Sequence, residues 1–271
     1  VRGAVWFSDG ERVLAWSADG AVRVWRVGDE APVFEAMHAG VRGALLSGDE
    51  ARVLTWGGAA GEVTLWAIDR GEVVASYLHA NEVLSAAWAA DERLLFTFMV
   101  GGTAITWETE SAQAISTQNF GAGALGAQRN ADGRWTLVWT RNDGVLVYAP
   151  NFSLAMVRMP HRTFVQGATW NADETRILSW AADDTAQLWD AASGEPLLTL
   201  RHIDWVEGAR LSRDETRVLT WAYDSAVVWS SDGERLAELR HDLLVTGAAW
   251  NADETRVLSW SWDKTARVWQ P

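Results

Sequence analysis

The histidines of this chain, His38, His79, His161, His202 and His241, are separated by 41, 82, 41 and 39 residues. The widest gap is twice the commonest, and the position it skips is Phe120. Self-similarity at this period marks an array of small supersecondary units, each too small to bury its apolar faces except against its neighbours. The last period, His241 to Trp269, reads HDLLVTGAAWNADETRVLSWSWDKTARVW, and versions of it recur back to the start of the chain.

Each unit reads as short strands. VTGAAW is followed by the turn NADET, then RVLSWS, a tight turn around WDK, and TARVW. These segments are rich in Val, Leu, Thr and Trp and are bounded by turn residues. Elsewhere a fourth strand follows, such as EVVASYL (Glu72–Leu78) or EPLLTL (Glu195–Leu200). Four short strands per period of about forty residues is the arithmetic of a β-propeller blade. The expected fold is therefore all-β, a seven-bladed propeller of four-stranded antiparallel blades. Blades are expected at about 1–37, 38–78, 79–119, 120–160, 161–201, 202–240 and 241–271, in one domain. The last is expected to lack its outer strand, which leaves Thr265, Ala266, Arg267, Val268 and Trp269 as an open edge able to template another strand.

The pattern HxxxVxGAxW…RVLSW…D.T..VW resembles the WD-repeat family, and Trp189-Asp190 keeps the literal dipeptide. The Trp-rich array is similar to those attached to bacterial ATPase, kinase or protease domains. The resemblance implies a buried tetrad in each blade: a turn Asp holds the His, the His holds a strand hydroxyl, and the hydroxyl holds the Trp indole. The donor and acceptor inventory of these side chains permits such a chain. Complete sets are His161, Ser179, Asp183 and Trp189; His202, Thr220, Asp224 and Trp229; and His241, Ser259, Asp263 and Trp269. The unit from His38 has Thr55 and Trp66 without the Asp. The unit from His79 has Thr97 and Trp107, with Gly101 for the Asp. The unit at Phe120 has Val138 and Tyr148 in place of hydroxyl and indole, and the first keeps Asp19 and Trp25 around Ala15.

The net charge of −13 argues against a nucleic-acid or anionic-membrane surface and favours, if anything, cationic partners. With no cysteine, disulfides and thiolate metal sites are excluded. No stretch reads as a membrane span and the N-terminus is not signal-like, so a soluble, cytoplasmic protein is expected. A start at Val1 suggests processing or excision from a longer chain. GAGALG, with Gly121, Gly123 and Gly126, matches the dinucleotide fingerprint literally, but that fingerprint needs a following helix where the register here places a strand. Asn151-Phe152-Ser153 matches a glycosylation sequon and, without a secretory signal, reads as chance. The acidic pairs Asp49-Glu50, Asp91-Glu92, Asp173-Glu174, Asp214-Glu215 and Asp253-Glu254 read as turns whose charge a nearby Arg offsets locally.

Sixteen of the 19 tryptophans lie on the strand grid, where packing between blades accounts for them. Trp135, Trp205 and Trp262 fall off it. Trp135, in the degenerate blade, reads as local repacking. In WD-repeat proteins the commonly used binding face carries the positions three and five after the His and one before the turn Asp. Carried over, this gives Phe164, Trp205, Tyr223, Leu244 and Trp262, with Gln166, Glu207 and Thr246 beside them, and Arg2, Arg42 and Arg141 in other blades. Such an apolar patch marks an interaction site. The expected function is a non-catalytic protein- or peptide-binding scaffold using blades five to seven, with no cofactor and no metal. Two alternatives stand beside it: a structural or sensor module of a larger signalling protein, and an excised or engineered propeller without its own activity. With every histidine on the tetrad register, triad and metal chemistry lack a base, which leaves only carboxylate acid–base chemistry open.

Overall fold

The computed structural model describes residues 2–58, 60–89, 91–149, 155–251 and 253–271; the Asn151-Phe152-Ser153 triplet lies outside them. The described residues form seven consecutive antiparallel sheets, the blades of a β-propeller, six of four strands and the last of three. The chain divides into two compact units, Val1–Ala122 with Gly126–Gly133, and Gly123–Leu125 with Arg134–Pro271.

In the first unit, β1 (Gly3–Trp6), β2 (Arg12–Trp16), β3 (Ala21–Arg26) and β4 (Phe34–Met37) form the first blade. The second is β5 (Val41–Leu46), β6 (Arg52–Gly57), β7 (Glu62–Ala67) and β8 (Glu72–Leu78). The third is β9 (Val83–Trp88), β10 (Leu94–Met99), β11 (Thr103–Glu108) and β12 (Ala114–Asn119). The fourth blade is β13 (Ala124–Arg129), β14 (Thr136–Thr140), β15 (Val145–Tyr148) and β16 (Val157–Met159). In the second unit, the fifth is β17 (Val165–Trp170), β18 (Arg176–Ala181), β19 (Thr185–Asp190) and β20 (Pro196–Arg201). The sixth is β21 (Val206–Leu211), β22 (Arg217–Ala222), β23 (Ser225–Ser230) and β24 (Arg235–Arg240). The seventh is β25 (Val245–Trp250), β26 (Val257–Ser261) and β27 (Ala266–Trp269). Gly126 lies within β13, so the GAGALG run continues as strand and not as the helix a dinucleotide site requires.

The core lies between successive blades. Leu54, Leu65 and Tyr77 of the second meet Val83, Leu95 and Trp107 of the third, and Leu178, Leu188 and Leu200 of the fifth meet Val206, Val218 and Trp229 of the sixth. Each aliphatic side chain so buried contributes about 1.5–3 kcal/mol. Second-strand indoles also tie neighbours: Trp16 Nε1 donates to the Arg42 carbonyl (3.2 Å) and Trp56 Nε1 to that of Leu84 (3.4 Å). Two grid tryptophans escape this burial. Trp6 is 59 % exposed and Trp260 39 %. Each sits in a blade that has, within its own unit, a neighbouring blade on one side only.

The acidic pairs are turns: side-chain and backbone hydrogen bonds, with the charge of the Arg three residues on, lower the carboxyls of Asp49, Asp173, Asp214 and Asp253, but the charge of the Glu is met from another blade. Each Asp accepts an N–H two residues on, at 3.0 Å for Ala51, 3.1 Å for Arg93 and 3.0 Å for Thr175. The following Glu adopts a left-handed φ, 57° at Glu50, 56° at Glu92 and 57° at Glu215. That conformation is unfavourable for an L-residue, and it carries the side chain to the preceding blade. Glu50 accepts the Ser8 N–H (2.6 Å), Glu92 that of Gly48, Glu215 that of Ala172 (3.1 Å) and Glu254 that of Arg213 (2.7 Å). The cations that meet them come from that same preceding blade: Arg12 with Glu50 at 3.6 Å, Arg52 with Glu92 at 3.2 Å, and Arg176 with Glu215. These carboxylates are hooks between blades.

Candidate functional site

The polar ties sit at the start of the second, third, fifth, sixth and seventh blades, where the loop before the first strand meets the second and third strands. In the fifth blade His161 Nδ1 is 3.0 Å from Asp183 Oδ2 and Nε2 is 2.7 Å from Ser179 Oγ, while Trp189 Nε1 donates to Ser179 Oγ at 2.8 Å. The seventh repeats this with His241, Asp263, Ser259 and Trp269 at 2.9, 2.7 and 2.7 Å. A carboxylate only accepts, so Nδ1 carries the proton. Nε2 then accepts from the hydroxyl, whose oxygen accepts the indole N–H. Burial alone would raise the carboxyls of Asp183 and Asp263, but hydrogen bonds from the histidine, a Thr hydroxyl and a backbone N–H hold both well below the usual carboxylate range.

The sixth blade departs from its expected set. His202 Nε2 reaches Thr220 Oγ1 (2.8 Å) and Trp229 Nε1 donates to the same oxygen (2.7 Å), but no hydrogen bond joins Asp224 to His202 among the described residues. The cause is a shorter turn. β22 and β23 pair through Ala222 and Ser225, leaving a two-residue turn of Tyr223 and Asp224 with φ 46° at Tyr223. The fifth blade spans Ala181 to Thr185 with three residues, which places Asp183 back over its His. In the third blade backbone takes the place of the missing Asp: His79 Nδ1 donates to the Gly61 and Tyr77 carbonyls at 2.9 and 3.1 Å, with Nε2 on Thr97. In the second, His38 turns Nδ1 to Thr55 (2.8 Å) and leaves Nε2 buried with no hydrogen-bond partner among the described residues. In the fourth, Val138 and Tyr148 are buried where the other blades carry the hydroxyl and the indole.

These histidines make the fold acid-sensitive. Burial, reinforced by the Arg235 cation and only partly offset by Glu238, pushes the His202 imidazole down to about 4. Burial lowers His38 and His79 as well. The folded state then refuses a proton that the unfolded chain takes up below about pH 6.5. Stability present at neutral pH is lost as pH falls from there through about 4, by up to ~3 kcal/mol from His202. Thermal unfolding midpoints measured from pH 7 to pH 4 should fall steadily, and His202→Gln should flatten part of that slope. An unchanged slope in the variant would remove His202 from the account.

The second constellation lies at one end of blades five to seven. Val206 pairs with Ala222 and Val245 with Ser261, so Trp205 stands across from Tyr223, and Leu244 across from Trp262, where the first two strands end. The Tyr223 carbonyl accepts the Val245 N–H (2.6 Å), which joins the sixth blade end to the seventh, and within the seventh the Leu244 carbonyl accepts that of Trp262 (2.9 Å). Trp205, Tyr223 and Trp262 are 49, 52 and 68 % exposed. Phe164 and Leu244 are half-buried, not open: the Phe164 ring meets Trp205 edge-on at 5.5 Å and serves as its pedestal. Sequence reading missed Ile203 and Leu243, 84 and 54 % exposed in the same loops. Their signal was an apolar residue directly after a loop His, or two after.

Gln166, Glu207 and Thr246 each sit in a register shift, between Val165 and Gly167, Val206 and Gly208, and Val245 and Gly247. A bulge of this kind re-aims a side chain. Burial, with the Asp204 charge, raises the Glu207 carboxyl. In the first unit, Arg42 ion-pairs with Glu82 (2.6 Å) and Arg2 donates to the Val41 carbonyl (3.1 Å), while Arg141 of the second is exposed. Trp135 lines a cavity with Met156 and Trp170. Among the described residues β27 pairs with β26 alone, and Val268 on it is 65 % exposed. No three His, Cys, Asp or Glu side chains among the described residues are grouped to hold a metal ion. No described helix is long and apolar enough to cross a membrane.

Residues 233–270 match the family described as WD domain, G-beta repeat. The match runs from the turn before β24 to the end of β27, the outer strand of one blade and all three of the next. No curated protein matches the chain.

Proposed function

We propose that this β-propeller, which carries a WD-repeat match over residues 233–270, is a non-catalytic protein-interaction scaffold that binds a protein or peptide through the end of blades five to seven. The observation that carries this reading is the group of Trp205, Tyr223 and Trp262, each about half exposed or more, with Ile203 and Leu243 beside them. Leaving such side chains in water forgoes on the order of a few kcal/mol each, and aromatic anchors of this type dominate interfaces. Glu207 and Asp204 beside Trp205, on a chain of net charge −13, favour a partner segment that carries a basic residue between its apolar anchors. The one-sided pairing of β27 supports a second contact, by strand addition at Ala266–Trp269.

The test is a selection of displayed peptides against the intact chain, followed by affinities for Trp205→Ala with Trp262→Ala. Loss of two anchors of ~2 kcal/mol each predicts at least about a hundredfold weaker binding, with the thermal midpoint unchanged. Peptides enriched in Lys or Arg and in apolar residues are expected. Binders indifferent to the double substitution would place the interface elsewhere.

A further inference from the structure

At an intact junction between blades, one guanidinium meets one hook carboxylate, flanked by two turn aspartates: Arg176 and Glu215, with Asp173 and Asp214. At the next junction Arg217 donates to the Glu254 backbone carbonyl at 3.0 Å and lies over the Trp250 ring at 4.5 Å. The junction that the first unit makes with its 126–133 segment breaks all three positions. Leu94 stands three before Thr97, where Arg52 stands three before Thr55. Gly133 occupies the hook position in Asn130-Ala131-Asp132-Gly133, where the fifth blade has Asn171-Ala172-Asp173-Glu174. Arg129 precedes Asn130 as Trp170 precedes Asn171. The guanidinium is therefore retained, supplied from the opposite side, and the carboxylate is missing.

The geometry has the same gap. Arg129 Cζ lies 5.3 Å from the Phe96 ring, and its Nε is buried with no hydrogen-bond partner among the described residues. A Cβ added at Gly133 would meet only Arg129 Nη1, at 3.9 Å. Beside them is a cavity of about 270 Å³ lined by Ala87, Trp88, Leu94, Phe96, Arg129 and Gly133. We propose that this cavity binds a small organic monocarboxylate, whose carboxylate takes the place of the absent hook beside Arg129 and whose apolar body lies along Trp88, Leu94 and Phe96. The charge count selects the class. Asp91 and Asp132 also line the cavity, and Asp91 Oδ1 accepts the Arg93 N–H at 3.1 Å. One added carboxylate reproduces the complement of an intact junction, and a second, or a phosphate dianion, exceeds it. Burial already weakens the Arg129 cation, which an adjacent anion would relieve.

Benzoate is a suitable probe, with benzamide as its neutral counterpart and inorganic phosphate as a second anion. The readout is the Arg129 Nε–H resonance in the intact, isotopically labelled chain. Benzoate is expected to shift it saturably with a Kd near or below ~1 mM, and benzamide to bind at least about tenfold more weakly. Arg129→Met should abolish benzoate binding. Gly133→Glu should do the same by restoring a resident carboxylate, at a φ of 71° close to that of the native hooks, and should raise the thermal midpoint. Benzoate weaker than ~10 mM, equal binding of benzamide or phosphate, or full binding by a folded Gly133→Glu would each overturn the assignment.

Discussion

Ser179→Ala should remove about 2–6 kcal/mol of stability while deleting a single oxygen. That hydroxyl is fully buried between His161 Nε2 and the Trp189 indole N–H, at 2.7 and 2.8 Å. Without it, two buried polar groups lose their partner together, and each such orphan costs about 1–3 kcal/mol. Asp183→Ala should cost about 1–3 kcal/mol on the same reasoning, since it strands one buried donor, the His161 Nδ1–H, while the Arg162 N–H it also holds is exposed and can turn to water. Asp224→Ala is the matched control. Its carboxylate makes no bond to His202, so the loss should stay within about 0.5 kcal/mol, the range of an ordinary surface change. Urea denaturation followed by circular dichroism and tryptophan emission reads all three on one scale. Equal losses at Asp183 and Asp224 would mean that the acidic leg of the tie contributes nothing beyond its turn.

The contrast between those two aspartates shows where sequence was sufficient. The period of His and Trp was legible because every blade buries the same face against the next, so the same residue types recur. Asp224 has the right identity, and residue type alone makes its set look complete. Spacing does not: Thr220 to Trp229 is nine residues, against ten from Ser179 to Trp189. The missing residue lies in the turn that should aim the carboxylate. The hooks were illegible for a different reason. Arg52 and Glu92 are 40 residues apart, and only the left-handed φ of the Glu directs it to the earlier blade and not along its own strand. Local proximity in sequence therefore suggested the right cation for the Asp and the wrong one for the Glu.

The candidate binding face was legible as positions and not as exposures. Trp205 and Trp262 declared themselves by falling off the grid. Phe164 did not declare that it would be covered, because what covers it is Trp205, one blade on. Trp6 and Trp260 were indistinguishable in sequence from their buried counterparts, since burial there depends on a neighbouring blade and not on the strand that carries the indole.

Gly208→Ala should be destabilising by about 1–3 kcal/mol, against the trend for its backbone. Its φ lies outside the left-handed region. By conformational entropy alone the added methyl would therefore stabilise by about 0.4–1 kcal/mol. The obstacle is Trp221, the cross-strand partner of Gly208, whose ring occupies the space a Cβ would need. The same pairing recurs at Gly43 with Trp56, Gly167 with Trp180 and Gly247 with Trp260. The glycine of VxGAxW is thus the seat of the second-strand indole. A double-mutant cycle with Trp221→Leu isolates the contact. Each substitution alone should lower the denaturation midpoint, and the pair should lose less than the sum by at least about 1 kcal/mol, because the smaller side chain leaves room for the methyl. Strict additivity would mean that Gly208 is required by its backbone, and that the recurrence of Gly opposite Trp in these blades has some other cause.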